Sequence, residues 1–210
     1  MRIYRPDRSE DETRLLKQEI AAVAQSAGIG GRVCGTRCTV KCSHCGSTAC
    51  QCMCSVDCSE APRALSVDPV RYPIEPAIAP LVFEMKRLGM FQPCWSCGGH
   101  THPDGSLWKM PGLWFYCTSF VTLRLLADGL SNMNAAGRLH TPWRIAVTYS
   151  DPDNPETAFA LEPLLSPDET PSLAALQDDV AQIARSLHAM VTDQARKLQR
   201  GTTRPLSAHF

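Results

Sequence analysis

Trp143-Arg144-Ile145-Ala146-Val147-Thr148-Tyr149, then Asp151-Pro152-Asp153-Asn154-Pro155, then Thr157-Ala158-Phe159-Ala160-Leu161-Glu162-Pro163-Leu164 decide the fold class. Two strand-like segments rich in β-branched and aromatic residues flank a loop of Asp, Asn and Pro, the pattern of a β-hairpin. Working backwards, Phe120, Leu123, Leu126 and Leu130 predict a helix over about 119–132. Before it, Phe91–Trp95 and Leu113–Cys117 read as two more strands across a loop, 96–112, rich in Gly, His and Pro. Pro80 suits the first turn of a still earlier helix carrying Leu81, Val82, Met85 and Leu88, with Gly89 placed to end it.

Working forwards, Ser172 caps a long helix over about 172–199. Its Leu173, Leu176, Val180, Ile183, Leu187, Met190 and Leu198 form a near-heptad stripe. That stripe either packs on its own domain or offers a homodimer seam to a second copy. At the other end of the chain, Ser9 and Glu12 fit a capping box, and Leu16, Ile20, Val23, Ala24 and Ala27 share one face of a helix over 9–27. Pro62, Pro69, Pro73 and Pro76 mark an extended connector with a short strand near Leu65–Tyr72. The order helix, strand, strand, helix, hairpin, helix predicts an α+β sandwich with a small antiparallel sheet. A leading strand at Leu65–Tyr72 would make it ferredoxin-like. The expected organisation is an N-terminal helix (1–33), a Cys-rich metal-cluster module (34–60), an α+β domain with a second metal site (61–165), and a C-terminal helix and tail (166–210).

The chain has 210 residues, with 21 Lys+Arg against 21 Asp+Glu. Zero net charge removes the bulk positive field that drives nonspecific binding to nucleic acid. The longest apolar runs fall far short of the ~20 residues that cross a bilayer, which argues against a membrane partner. Arg2, Arg5 and Asp7 lead into a charged stretch without an apolar signal core, so the expected location is cytoplasmic.

Eight of the 11 cysteines lie within one segment: Cys34, Cys38, Cys42, Cys45, Cys50, Cys52, Cys54 and Cys58. Val40 and Val56 are its only branched aliphatic residues, so it cannot build a core of its own. In a reducing compartment, thiols this dense are soft metal ligands, and the metal would supply the missing folding energy. The C-x-C content resembles that of metallothionein-like zinc clusters, which implies at least two zinc ions. His44 could replace one thiolate. Cys38, Cys42 and Cys45 also resemble the C-x3-C-x2-C motif of the radical S-adenosylmethionine enzymes, which implies a [4Fe–4S] cluster with one open iron.

A second constellation follows in Cys94-Trp95-Ser96-Cys97-Gly98-Gly99-His100-Thr101-His102-Pro103-Asp104-Gly105. The C-x2-C pair reads as a metal knuckle, with the glycines letting the backbone fold around an ion. Antiparallel pairing of the two flanking strands would bring Cys117 near Cys94. The expected ligand set is therefore Cys94, Cys97, Cys117 and either His100 or His102. The His100-Thr101-His102 segment resembles the His-x-His of metal-dependent amidohydrolases, which implies a catalytic ion with Asp104 as a base, although an Asp-Gly turn also explains Asp104. Zinc is preferred throughout for its tetrahedral thiolate and imidazole ligand sets, and the chain has no room for the barrel that either enzyme family builds. The expected function is that of a metal-binding protein, zinc preferred, acting as a protein-interaction or nucleic-acid-interaction module. The alternatives are an iron–sulfur or radical-type enzyme, or a small zinc hydrolase.

Overall fold

The computed structural model describes residues 9–27, 33–34, 41, 55–117, 119–150, 156–166 and 170–203. Within them lie helices α1 (Glu10–Ala27), α2 (Ala61–Leu65), α3 (Ala79–Arg87), α4 (Phe120–Ala135) and α5 (Leu173–Thr203). The strands are β1 (Phe91–Cys97), β2 (His100–Thr101), β3 (Leu107–Lys109), β4 (Gly112–Cys117), β5 (Trp143–Ser150) and β6 (Thr157–Pro163). Strands β1, β4, β6 and β5 form one sheet in that order, every neighbouring pair antiparallel. The short pair β2 and β3 continues the β1–β4 ribbon beyond Cys97 and Gly112. The fold is α+β, and the opening hairpin is β5–β6, with Ile145 opposite Leu161 and Trp143 opposite Pro163.

One core joins the sheet to the helices. Phe91, Leu113, Phe115, Phe159 and Leu161 of the strands share it with Leu81 and Met85 of α3, Leu125 and Leu130 of α4, and Val180, Ile183 and Leu187 of α5. Each large side chain so buried contributes about 1.5–3 kcal/mol relative to exposure. Trp95 and Trp114 are exposed, their rings paired across the strands at 5.0 Å.

The helix ends follow local chemistry. Ser9 N–H donates to Glu12 Oε2 at 2.8 Å and Glu12 N–H to Ser9 Oγ at 3.2 Å, the capping box read from the sequence. Ser119 Oγ accepts the Thr122 N–H at 3.2 Å to start α4. Asp179, almost fully buried, fixes α5 to the chain entering β5. Its carboxylate accepts the N–H groups of His140 and Thr141 at 2.7 and 3.0 Å and the Trp143 indole N–H at 3.2 Å.

Three expectations change. Residues 66–72 are not a strand but a closed turn: Ser66 Oγ donates to the Tyr72 carbonyl at 2.6 Å, and Asp68 Oδ1 accepts the Val70 and Arg71 N–H groups at 3.1 Å each. Asp68 supplies the competing hydrogen bonds that turn the chain here. Among the described residues no strand precedes α3, so the order differs from the ferredoxin-like one. The α5 stripe packs on its own domain at Leu176, Val180, Ile183 and Leu187, all fully buried where α1, α3 and α4 meet α5, while Leu173, Met190 and Leu198 are half-buried. Loop 96–112 is not wholly irregular either, since it holds the β2–β3 pair.

Of the Cys-rich segment, Cys38, Cys42, Cys45, Cys50, Cys52, Cys54 and also His44 lie outside the described residues. Its two ends are placed. Val33, next to Cys34, is buried with Ala61 and Phe83, and Val56 and Cys58 pack against the same cluster. Both ends of the segment therefore return to α3.

Candidate metal centre

Glu75 enters the site from the connector. Its carbonyl accepts the N–H groups of Ile78 and Ala79 at 3.1 and 3.0 Å, so the start of α3 fixes its backbone. Cys97 is the last residue of β1, paired with Gly112. His100 opens β2, three residues on.

The chain turns sharply between them. Gly99 has φ +85°, and a Cβ there would meet Leu173 Cδ1 at 2.5 Å and Pro111 Cδ at 3.0 Å. At Gly98 a Cβ would stand 2.9 Å from Glu75 Oε2. Only glycines let the strand end approach the carboxylate and the start of α5 this closely. The Gly98 N–H donates to Glu75 Oε2, and Gln177 Nε2 donates to the Gly98 carbonyl at 2.8 Å.

These elements gather a thiol, an imidazole and a carboxylate. Glu75, Cys97 and His100 each offer one ligand atom, all within 4.8 Å of one another. His100 Nε2 lies 3.1 Å from Glu75 Oε1. Ligand atoms around a tetrahedral zinc stand about 3.3–3.7 Å apart, as bonds of about 2.0–2.3 Å require. The imidazole and carboxylate are thus already close to that spacing, and the sulfur lies within 4.8 Å of both. The set mixes soft and hard donors in the way zinc tolerates. Cys97 is 3% exposed, whereas Glu75 and His100 keep 38% and 41% of their side chains exposed. An ion here would be anchored on the buried side and open to solvent on the other.

The ligand set expected from the sequence is split up. Cys94 and Cys97 lie on one extended strand, β1, and not in a knuckle. Three residues of strand span about 10 Å, too far for two sulfurs to share an ion. A bulge also sits at Cys94, since Pro93 pairs with Phe115 and Trp95 with Trp114. Strands β1 and β4 do pair antiparallel, but Cys117 falls opposite Phe91, at the far end of the ribbon from Cys97. That separation is roughly 17–20 Å. Cys117 packs against the core, its Sγ contacts the Ser119 carbonyl at 3.5 Å, and burial pushes its thiol pKa up. Burial likewise raises the Cys94 thiol, partly offset by nearby backbone N–H groups.

His102 stands at the base of the hairpin tip, its N–H donating to the Ser106 carbonyl at 2.8 Å. Its ring and that of His100 both flank Trp108, at 6.2 and 5.6 Å. Asp104 serves the turn: its Oδ1 accepts the Ser106 hydroxyl at 2.6 Å and the Ser106 N–H at 2.8 Å, which holds its carboxyl below the usual range. Glu75 was not legible as a partner, because it stands 22 residues before Cys97 and carries no local motif.

No protein-family model, curated protein or solved structure gives a significant match to this chain. Among the described residues, no helix is long and apolar enough to cross a membrane.

Proposed function

We propose that this chain is a zinc-binding protein in which Glu75, Cys97 and His100 hold one ion. The observation that carries this reading is the convergence of one thiol, one imidazole and one carboxylate within 4.8 Å, brought together from three separate elements. Zinc suits the donor set better than magnesium or calcium, which take oxygen ligands, and the thiolate is a ligand those ions refuse. The cysteines from Cys34 to Cys58 form a second binding region in the same proposal. Its support is their density and the return of both segment ends to Phe83. An interaction role for a protein or nucleic-acid partner rests on that segment.

One observation favours a second reading, a small zinc-dependent hydrolase. Three protein ligands leave a coordination position open, as in catalytic zinc sites, whereas structural sites close with four. Bound zinc would supply an acidified water. In this chain Glu75, Cys97 and His100 would hold the ion, and the Trp108 ring would wall the side nearest His100 and His102.

Elemental analysis of the full chain, purified under reduction without air, tests the proposal. Colourless protein with zinc is expected, and Glu75→Gln and Cys97→Ser should each lower the zinc content by about one equivalent. Brown protein with stoichiometric iron and labile sulfide would replace zinc with the [4Fe–4S] alternative. Equal zinc in wild type and Cys97→Ser would reduce the Glu75, Cys97 and His100 cluster to a hydrogen-bonded turn.

A further inference from the structure

A groove of about 730 Å³ lies between the connector and β1. One wall carries Leu65, Val67, Arg71 and Ile74, and the strand wall Pro93, Cys94 and Trp95. Its volume falls in the range of small-molecule sites, about 300–1,000 Å³. Val67 stands exposed at its rim.

We infer that this groove binds a small apolar carboxylate, its hydrocarbon part against Leu65, Ile74, Pro93 and Trp95 and its anionic head at Arg71. Charge selects the head group. Among the described residues, Arg71 is the only charged one of the lining, and none of them is a carboxylate. The guanidinium rests over the Tyr72 ring at 5.1 Å, a placement that keeps it at the rim. The Lys109 ammonium, outside the lining, stands 4.6 Å over the ring of Trp95. The nearby carboxylates of the connector accept backbone N–H groups, Asp68 from Val70 and Arg71 and Glu75 from Gly98. The strand wall also argues against an extended peptide. Pro93 has no N–H to donate, and the bulge at Cys94 breaks the hydrogen-bonding rhythm that an added strand needs.

Titrating the full chain with decanoate, followed by tryptophan fluorescence and by alkylation of Cys94 read by peptide mass spectrometry, tests the inference. Decanoate should bind saturably, change the emission and protect Cys94, which lines the groove. Decanol, the neutral analogue, should bind about three- to tenfold more weakly, and Arg71→Gln should bring decanoate down to the level of decanol. Both Arg71 and Val67 are exposed, so Arg71→Gln and Val67→Glu leave the fold intact. Val67→Glu places a carboxylate on the groove wall and should abolish decanoate protection of Cys94. Equal binding of decanoate and decanol, or of wild type and Arg71→Gln, would overturn the anion preference. Decanoate binding without protection of Cys94 would place the site elsewhere, and nonsaturable binding would mean there is no site.

Discussion

The two ends of the β1–β4 ribbon carry the same residue type in opposite settings. At one end Cys117 sits opposite Phe91, packed on the core, its thiol raised by burial. At the other end Cys97 sits opposite Gly112, as deeply buried as a core residue yet within ligand distance of Glu75 and His100. What separates them is the company each keeps. Around Cys117 the neighbours are apolar, and an apolar setting disfavours the thiolate that a metal needs. Around Cys97 a connector, a glycine turn and the start of α5 bring polar atoms to the sulfur. Cysteine count alone says nothing about which setting a thiol will find.

The largest difference should appear in stability without metal. Phe115 fills the core between Phe91 and Phe159, edge-on to the first at 5.6 Å and 6.0 Å from the second. Phe115→Ala should cost about 3–5 kcal/mol, or roughly 6–20 °C at about 2–4 °C per kcal/mol for a chain of this size. The loss should be the same with zinc or with chelator. A loss that zinc repairs would show that the two ends of the ribbon are one cooperative unit, and the contrast between them would fail.

The next difference is smaller and runs the other way. At a zinc concentration of 100 times Kd, binding stabilises by about 2.7 kcal/mol, roughly 5–10 °C here. Cys117→Ser should keep that increment, and Cys97→Ser should lose the part due to this site. Comparing the two variants with each other cancels the contribution of the cysteines between Cys34 and Cys58. Undiminished zinc increments in both would break the comparison at its centre, whereas a loss in both would restore the ligand set expected from strand pairing, which holds Cys97 and Cys117 together.

The contrast also marks where the sequence is readable. The hairpin, both helix caps and the strands on either side of loop 96–112 are local signals, carried by side-chain period, prolines and Ser9, Glu12 and Ser172, whose Oγ accepts the Ala175 N–H at 3.2 Å. Each reappears in the fold within a few residues of its expected bounds. The connector strand failed because Asp68 and Ser66 offer their own hydrogen bonds to the backbone, which alternation of residue types does not reveal. The site was half legible. Cys97 and His100 stand three residues apart and carry a metal-binding pattern. Register decided against Cys117, since its pairing depends on a bulge at Cys94 and on the length of the β2–β3 extension. Glu75 arrives through tertiary packing alone, from the turn that begins α3.

The smallest expected effect lies at the tip of the same ribbon, where Asp104 separates the binding reading from the hydrolase reading. The Ser106 hydroxyl and then the Ser106 N–H stabilise its ionised form, so its native pKa lies below the unfolded value. The sign follows: any stabilisation is fully present above the unfolded value, about 3.9, and is lost as pH falls through the native one. Because Asp104 is fully exposed, solvent screens the interaction, and the titration itself is the informative measurement. A carboxyl NMR titration should find Asp104 below the ordinary aspartate range, and Ser106→Ala should move it upward, since the hydroxyl is the larger of the two donors. Both curves should be unchanged by zinc if Asp104 serves only the turn. A zinc-dependent displacement of the Asp104 titration would bring it into the electrostatic reach of an ion at Glu75, Cys97 and His100. The exposed end of the ribbon would then hold a candidate base beside an open coordination position, which the core end lacks.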